Sequence, residues 1–420
     1  MAITTAEAMQ FVEEHDVKFV RLTFCDLFGI QKNIAILSSQ LERAFLRGVP
    51  FDAAAIPGFG ELTGTDLLLF PDPDTLALLP WRPAQGRVAR LYCHLRSPAG
   101  KDFVGDSRRV LAQAAGALRD RGYWVRMGVQ CEFYLFAADE AGRPTLTPHD
   151  RAGYLDVAPA DRGENVRREV CLTLEEMGIA PESSRHQRGP GQNEIDFCPD
   201  APLTAIDHCL SLRMVVKAIA TRSGLYASFL PKPLAEECGS GLCLSIALSR
   251  QGRDLFGGAP CPEADAFLAG VARRLPELSV LLDPLPGSYR RLDGLAAGGA
   301  GREGGRCRPL RMVRLPGEPG RLEVRSPDPA CNPYLAAALL LAAGLEGMEE
   351  GLPPFSGKAP RLPGSLGEAL ELARAGDFLP RALPPAVAEV FLAHKARQWE
   401  EYRHAQNQQH WELERFLGVV

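Results

Sequence analysis

Four stretches of the chain alternate apolar and polar residues with period two, the signature of strands that show two different faces. In VRMGVQCEFYLF, Val125, Val129, Cys131, Phe133 and Leu135 share one face, and Arg126, Gln130, Glu132 and Tyr134 share the other. QNEIDF sets Gln192, Glu194 and Asp196 against Ile195 and Phe197. CLSIAL sets Cys243, Ser245 and Ala247 against Leu244, Ile246 and Leu248, and RLEVR sets Arg321, Glu323 and Arg325 against Leu322 and Val324. If the four join one sheet, a single face collects Glu132, Glu194, Glu323 and Arg325. Such a face can coordinate a hard cation and clamp a carboxylate or phosphate. An antiparallel sheet with one wet face alternates in the same way without any site, so the pattern alone leaves both readings open.

Elsewhere the periodicity is helical or irregular. Shorter strand patterns cover 18–24 and 88–95, separated by turn-rich sequence such as PDPDT at 71–75. Asp106 can cap a helix whose apolar stripe is Val110, Leu111, Ala114 and Leu118, with Gly122 ending it. Charge-rich helices are expected over 366–375 and 386–416, and the glycine-rich run at 295–306 reads as a loop of the kind that can serve as a lid. The expectation is an α+β chain: a small N-terminal domain over 1–100 and a large second domain over 101–420.

Charge narrows the partners. The 420 residues carry 47 basic and 52 acidic side chains, a formal net charge of −5, which disfavours nucleic acid as the main partner. No run reaches the ~20 apolar residues that a membrane span requires. The start MAITTAEAMQ lacks a basic and then apolar leader, and the eleven cysteines form no CxxC pair. A reduced, cytoplasmic protein is expected.

Familiar nucleotide motifs are missing. There is no GxxxxGK[ST], and GFGELTG at 58–64 has the wrong spacing for a dinucleotide fingerprint. His208 and Cys209 fall on a helical stripe with Leu212 and Val216, where packing is the expected role, and His149 lies in a turn-like PHD, where solvation is expected.

The blocks FDAAAIPGF, DTLALLPW, CEFYLF, GQNEIDF, LPKPLAEECGSG, SYRRL, LEVRSPDPACNPYLAA and WELERF carry a further signal. In order and spacing they resemble type I glutamine synthetases across nearly the whole chain. The resemblance implies a β-grasp-like N-terminal domain and a catalytic-type domain on a curved antiparallel sheet. It also implies homo-oligomeric rings, hexameric or dodecameric, with sites shared between neighbours. The family joins glutamate to ammonia at the expense of ATP, with Mg or Mn ions at the phosphates.

Carried over residue by residue, the resemblance is uneven. Of the family's metal ligands, five glutamates and a histidine, three glutamates fall on Glu132, Glu194 and Glu323, while Gln130, Gln187 and Cys243 occupy the other positions. On the nucleotide side, Ser245 and Ala247 replace a His and a Ser, Pro309 stands where a phosphate-binding Arg is expected, and the flap's only Glu, Glu303, is displaced. Arg308 or Arg311 substitutes for the missing Arg only if the loop shifts. The amino-acid side is better kept: Gly239, Arg291 and Arg325 match glutamate-holding positions, with Cys238 in place of an Asn. Asp52 matches the Asp that a neighbouring subunit offers to ammonium.

Replacing two carboxylates by amides weakens the pull on a hard cation, a thiol at Cys243 does not suit one, and Arg185 and Arg188 add positive charge nearby. Arg291 and Arg325 have an internal alternative too, as salt-bridge partners of Glu132 and Glu323. The expectation is therefore a homologue that has lost ordinary metal-dependent ligase activity, a pseudoenzyme in nitrogen metabolism. It would bind glutamate, a related amino acid or a partner protein, with no cofactor. The alternative is an active ATP-dependent ligase for glutamate with ammonia or another amine, using Mg or Mn on a reduced set of ligands. A second alternative is a structural subunit that co-assembles with an active paralogue.

Overall fold

The computed structural model describes residues 3–83, 85–296, 308–355 and 360–420, with no side-chain statement for 294–296. Residues 297–307, including Glu303, lie outside the described residues.

The N-terminal part comprises α1 (Thr5–Glu14), β1 (Val17–Cys25), β2 (Gln31–Leu37), α2 (Leu41–Arg47), β3 (Val49–Phe51), β4 (Leu67–Pro71), β5 (Ala77–Leu78) and β6 (Arg87–Arg96). Thr4 opens α1 with a reciprocal capping box to Glu7. The strands form one mixed sheet in the order β2-β1-β6-β4-β3, with β5 on β6. Only β1 and β6 run parallel in it. This is the β-grasp arrangement expected of the first domain.

The second part runs α3 (Ser107–Asp120), β7 (Tyr123–Ala138), β8 (Pro144–Pro148), α4 (Glu164–Glu176), β9 (Pro181–His186), β10 (Gln192–Phe197), α5 (Pro202–Arg222), β11 (Leu225–Ser228), β12 (Leu242–Arg250) and β13 (Arg253–Asp254). It continues through α6 (Pro262–Leu282), α7 (Pro286–Ala296), β14 (Leu310–Val313), β15 (Arg321–Val324), α8 (Pro333–Glu349), α9 (Leu366–Ala375), α10 (Leu379–Ala382), α11 (Pro385–His404) and α12 (Gln408–Phe416). As expected, Asp106 caps α3 by accepting from the Arg109 N–H. The single helix expected over 386–416 is two, because Ala405 leaves the helical conformation and Asn407 caps a new start.

All pairings in the nine-stranded sheet are antiparallel, in the order β14-β15-β12-β7-β10-β9. The 16-residue β7 is long enough to pair with β12, β10, β11 and β8 along its length. Its apolar face (Val129, Cys131, Phe133, Leu135) is fully buried, and α5 packs against it. Burying each large side chain there contributes roughly 1.5–3 kcal/mol. The polar face of the same strands is thereby held in fixed register on the other side.

Buried polar contacts help tie the domains together. Asn332 caps α8 by accepting from the Tyr334 and Leu335 N–H groups, and its amide donates to the Asp26 and Leu27 carbonyls at 3.1 and 3.3 Å. Arg108, on α3, bridges Asp72 and Asp207 at 2.9 and 2.8 Å. Among the described residues no helix is long and apolar enough to cross a membrane.

Candidate functional site

The four alternating strands expected from the sequence are β7, β10, β12 and β15, and they do share one sheet. Their polar faces line one cavity of about 600 Å³. Gln130, Glu132, Gln187, Glu194, Gly239, Cys243, Arg291, Glu323 and Arg325 all reach it. The register explains why. Arg185, Glu194 and Glu132 form one row across β9, β10 and β7. Ser183, Asp196, Gln130 and Cys243 form the next row, and Ser245, Glu323 and Arg311 form a third.

At one end of the cavity, Glu194 is enclosed by donors. Arg185 Nη2 pairs with its Oε1, and Gln187 Nε2 donates to its Oε2. The same guanidinium reaches Asp196 Oδ2 at 2.7 Å, and Ser183 Oγ donates to that oxygen at 2.8 Å. Burial, with the charge of Glu132, raises the Glu194 pKa. Burial and the neighbouring Glu194 charge push Asp196 up to about 7. Asp196 was legible only as a face residue; its pairing with Arg185 needs the β9 register.

In the floor, Glu132 Oε2 accepts the Gly241 N–H at 2.6 Å, and Gln192 Nε2 lies 3.4 Å away. Burial raises the pKa of Glu132, opposed by the Gly241 N–H and by the charges of Arg291 and Arg325. Gly239 is required by close approach: a Cβ there would lie 2.4 Å from the Pro231 carbonyl and 2.5 Å from Arg291 Cγ. Arg291 does not pair with Glu132, as the internal alternative had it. It pairs with Asp283 at 3.1 Å and donates to the Ser326 carbonyl, both buried. This anchors the guanidinium at the cavity wall.

At the other end, Glu323 lies 3.7 Å from Arg311 and 3.9 Å from Arg321. Arg311 lines the cavity, whereas Arg308 is exposed and absent from the lining. Pro309 contributes its carbonyl, which accepts the Arg325 N–H at 2.8 Å. Ser245 and Ala247 stay outside the lining. Burial pushes the Cys243 thiol well up, so it stands there as a thiol rather than a thiolate. Asp52 does not line the cavity of its own chain. It is exposed and caps the turn at Ala53–Ala55 by accepting from the Ala54 N–H at 2.8 Å.

Beside the cavity lies a buried group that sequence reasoning missed. Ligand atoms of Asp150, Asp161 and His186 all come within 4.8 Å of one another, and among the described residues no other three acid, thiol or imidazole groups do so. The partners are already internal. His186 Nε2 meets Asp150 Oδ1 at 2.9 Å, while Arg167 holds Asp161. Asp150 also accepts from the Gly191 and Arg162 N–H groups at 2.9 and 3.1 Å. The group therefore fixes the turn that carries Gln187 rather than presenting free ligands. Its neighbour His149 is partly exposed, with Nε2 3.2 Å from the Arg162 carbonyl.

Comparison with known proteins decides the family. The description "Glutamine synthetase, beta-Grasp domain" matches residues 16–98, and "Glutamine synthetase, catalytic domain" matches 104–416. The chain belongs to the glutamine synthetase family. Among curated relatives, the glutamine synthetase of Clostridium saccharobutylicum is 39% identical, aligned over 99% of each chain. That of Thermus thermophilus is 37% identical over all of both. A solved structure of GmaS in complex with ADP superposes with a TM-score of 0.83 at 28% identity, covering 98% of this chain and 99% of that one.

The family implies divalent cations, and the donors here fit them unevenly. Glu132 and Glu323 offer hard carboxylate oxygens to the cavity and fit such an ion chemically. Glu194 does not, because N–H groups already occupy both of its oxygens.

Proposed function

We propose that this member of the glutamine synthetase family is an ATP-dependent carboxylate–amine ligase for a glutamate-like amino acid, working with fewer divalent cations than the family's ligand set would hold. The carrying observation is that Gly239, Arg291 and Arg325 meet Glu132, Glu194 and Glu323 in one cavity. Relatives named glutamine synthetase that align from end to end at 35–39% identity support the same reaction class.

In this reading Arg291, braced by Asp283, and Arg325 hold the amino acid's carboxylate groups, as planar guanidinium forks do. Gly239 keeps the wall thin enough for the substrate to reach them. ATP transfers its γ-phosphoryl group to the side-chain carboxylate. Ammonia or a small amine then attacks the acyl carbon, the C–N bond forms, the bond to the phosphate oxygen breaks and phosphate leaves. Asp52 of a neighbouring chain in a ring would take the amine proton. A divalent ion held by Glu132 or by Glu323 would supply charge neutralisation for the phosphoryl group.

One observation favours a second reading, amino-acid binding without turnover: the closure of Glu194 by Arg185 and Gln187. Phosphate release from ATP, measured with Mg or Mn, decides between them. Release that requires both glutamate and an amine supports the ligase. Glutamate binding by calorimetry with no release under any amine or cation supports the second reading.

A further inference from the structure

We propose that Arg185 is a built-in counter-ion, standing on Glu194 in place of a divalent cation and making that half of the site independent of metal. The inference rests on the site assignment above but not on turnover.

Three observations carry it. First, the β9–β10–β7 register sets Arg185 next to Glu194 and Glu132 in one row, so the guanidinium is aimed by the sheet and not by a mobile loop. Second, one guanidinium serves two carboxylates. It reaches Glu194 Oε1 and Asp196 Oδ2, while its other amino group donates to Ser183 Oγ at 2.7 Å. Third, Gln187 turns its amide N–H onto the remaining oxygen of Glu194, a contact that a carboxylate at that position would replace with repulsion. The Arg185 side chain is only 24% exposed and those of Glu194 and Asp196 are 6% and 7%, so the group is well shielded from water and salt.

A guanidinium and a divalent ion both relieve repulsion among carboxylates, but they differ in what else they do. A hard cation keeps open coordination positions for substrate oxygens. Arg185 spends its donors on protein, so it holds Glu194 and Asp196 in place without presenting a Lewis acid to the cavity. Arg185 and Gln187 thus act as one device: the amide removes a charge and the arginine balances those that remain.

Manganese alone is the probe. The expected result is that Arg185→Gln lowers the melting temperature and that millimolar Mn²⁺ restores it by more than it shifts the wild type. Arg185→Gln combined with Gln187→Glu should bind one further Mn²⁺ per chain, or bind Mn²⁺ about tenfold more tightly, by electron paramagnetic resonance of the free ion. Gln187→Glu alone should gain nothing, because Arg185 still covers Glu194. Equal Mn²⁺ shifts in wild type and Arg185→Gln would overturn the proposal. So would a gain in Gln187→Glu alone, which remains readable if Arg185→Gln fails to fold.

Discussion

Glu132 and Glu194 stand directly opposite each other on β7 and β10. Like charges in such a cross-strand pair are destabilising by a few tenths to about 1 kcal/mol, and the Glu132 charge contributes to the raised pKa of Glu194. Glu132→Gln should therefore raise the melting temperature at pH 7, by an amount corresponding to about 1 kcal/mol or less. Calorimetric melting of the two proteins in the same chelated buffer checks it.

Gly239→Ala should weaken glutamate binding about tenfold, about 1.4 kcal/mol, or more. The added Cβ meets the Pro231 carbonyl and the Arg291 stem, so either the backbone at Pro231 or the Arg291 side chain must move. Titration calorimetry with glutamate reads this directly. An unchanged affinity would remove Arg291 from the binding wall.

Asp150→Ala should destabilise the protein by about 3 kcal/mol, the scale of breaking a buried pair. Its carboxylate accepts from His186 and from the backbone of Gly191 and Arg162, and those groups would be left buried without it. Urea unfolding is the measurement, and the loss should appear with saturating glutamate as well as without.

Lys395 gives a pH signature. It is 3% exposed, lies over the rings of Phe28 and Phe391, and burial lowers its pKa from 10.5 to about 7. Between those values the unfolded chain binds a proton that the folded chain does not, so this lysine's contribution to stability rises with pH there. Relative to Lys395→Met, the wild type should lose stability as pH falls from about 10.5 to about 7 and change no further below that. Denaturant midpoints of both proteins across this range test it. A constant difference would contradict it.

The polar strand faces were legible because period two is a local property: Glu132, Glu194, Glu323 and Arg325 followed from alternation alone, and the family resemblance added Gly239 and Arg291. What alternation cannot supply is which row each residue joins. Arg185 covers Glu194 only through the antiparallel pairing of β9 with β10, and nothing between residues 185 and 194 announces that register. The Asp150–His186 contact spans 36 residues, and the turn around His149 carries no periodic signal. Lys395 had a usable cue: it is one of seven lysines beside 40 arginines and follows Phe391 by one helical turn.

Asn332 does two jobs with one amide, closing the first turn of α8 and gripping the turn after β1. Any pull that draws the β-grasp domain away from the catalytic sheet at this point passes through the residue that starts the helix. The first turn of α8 should therefore feel that load before the rest of the helix does.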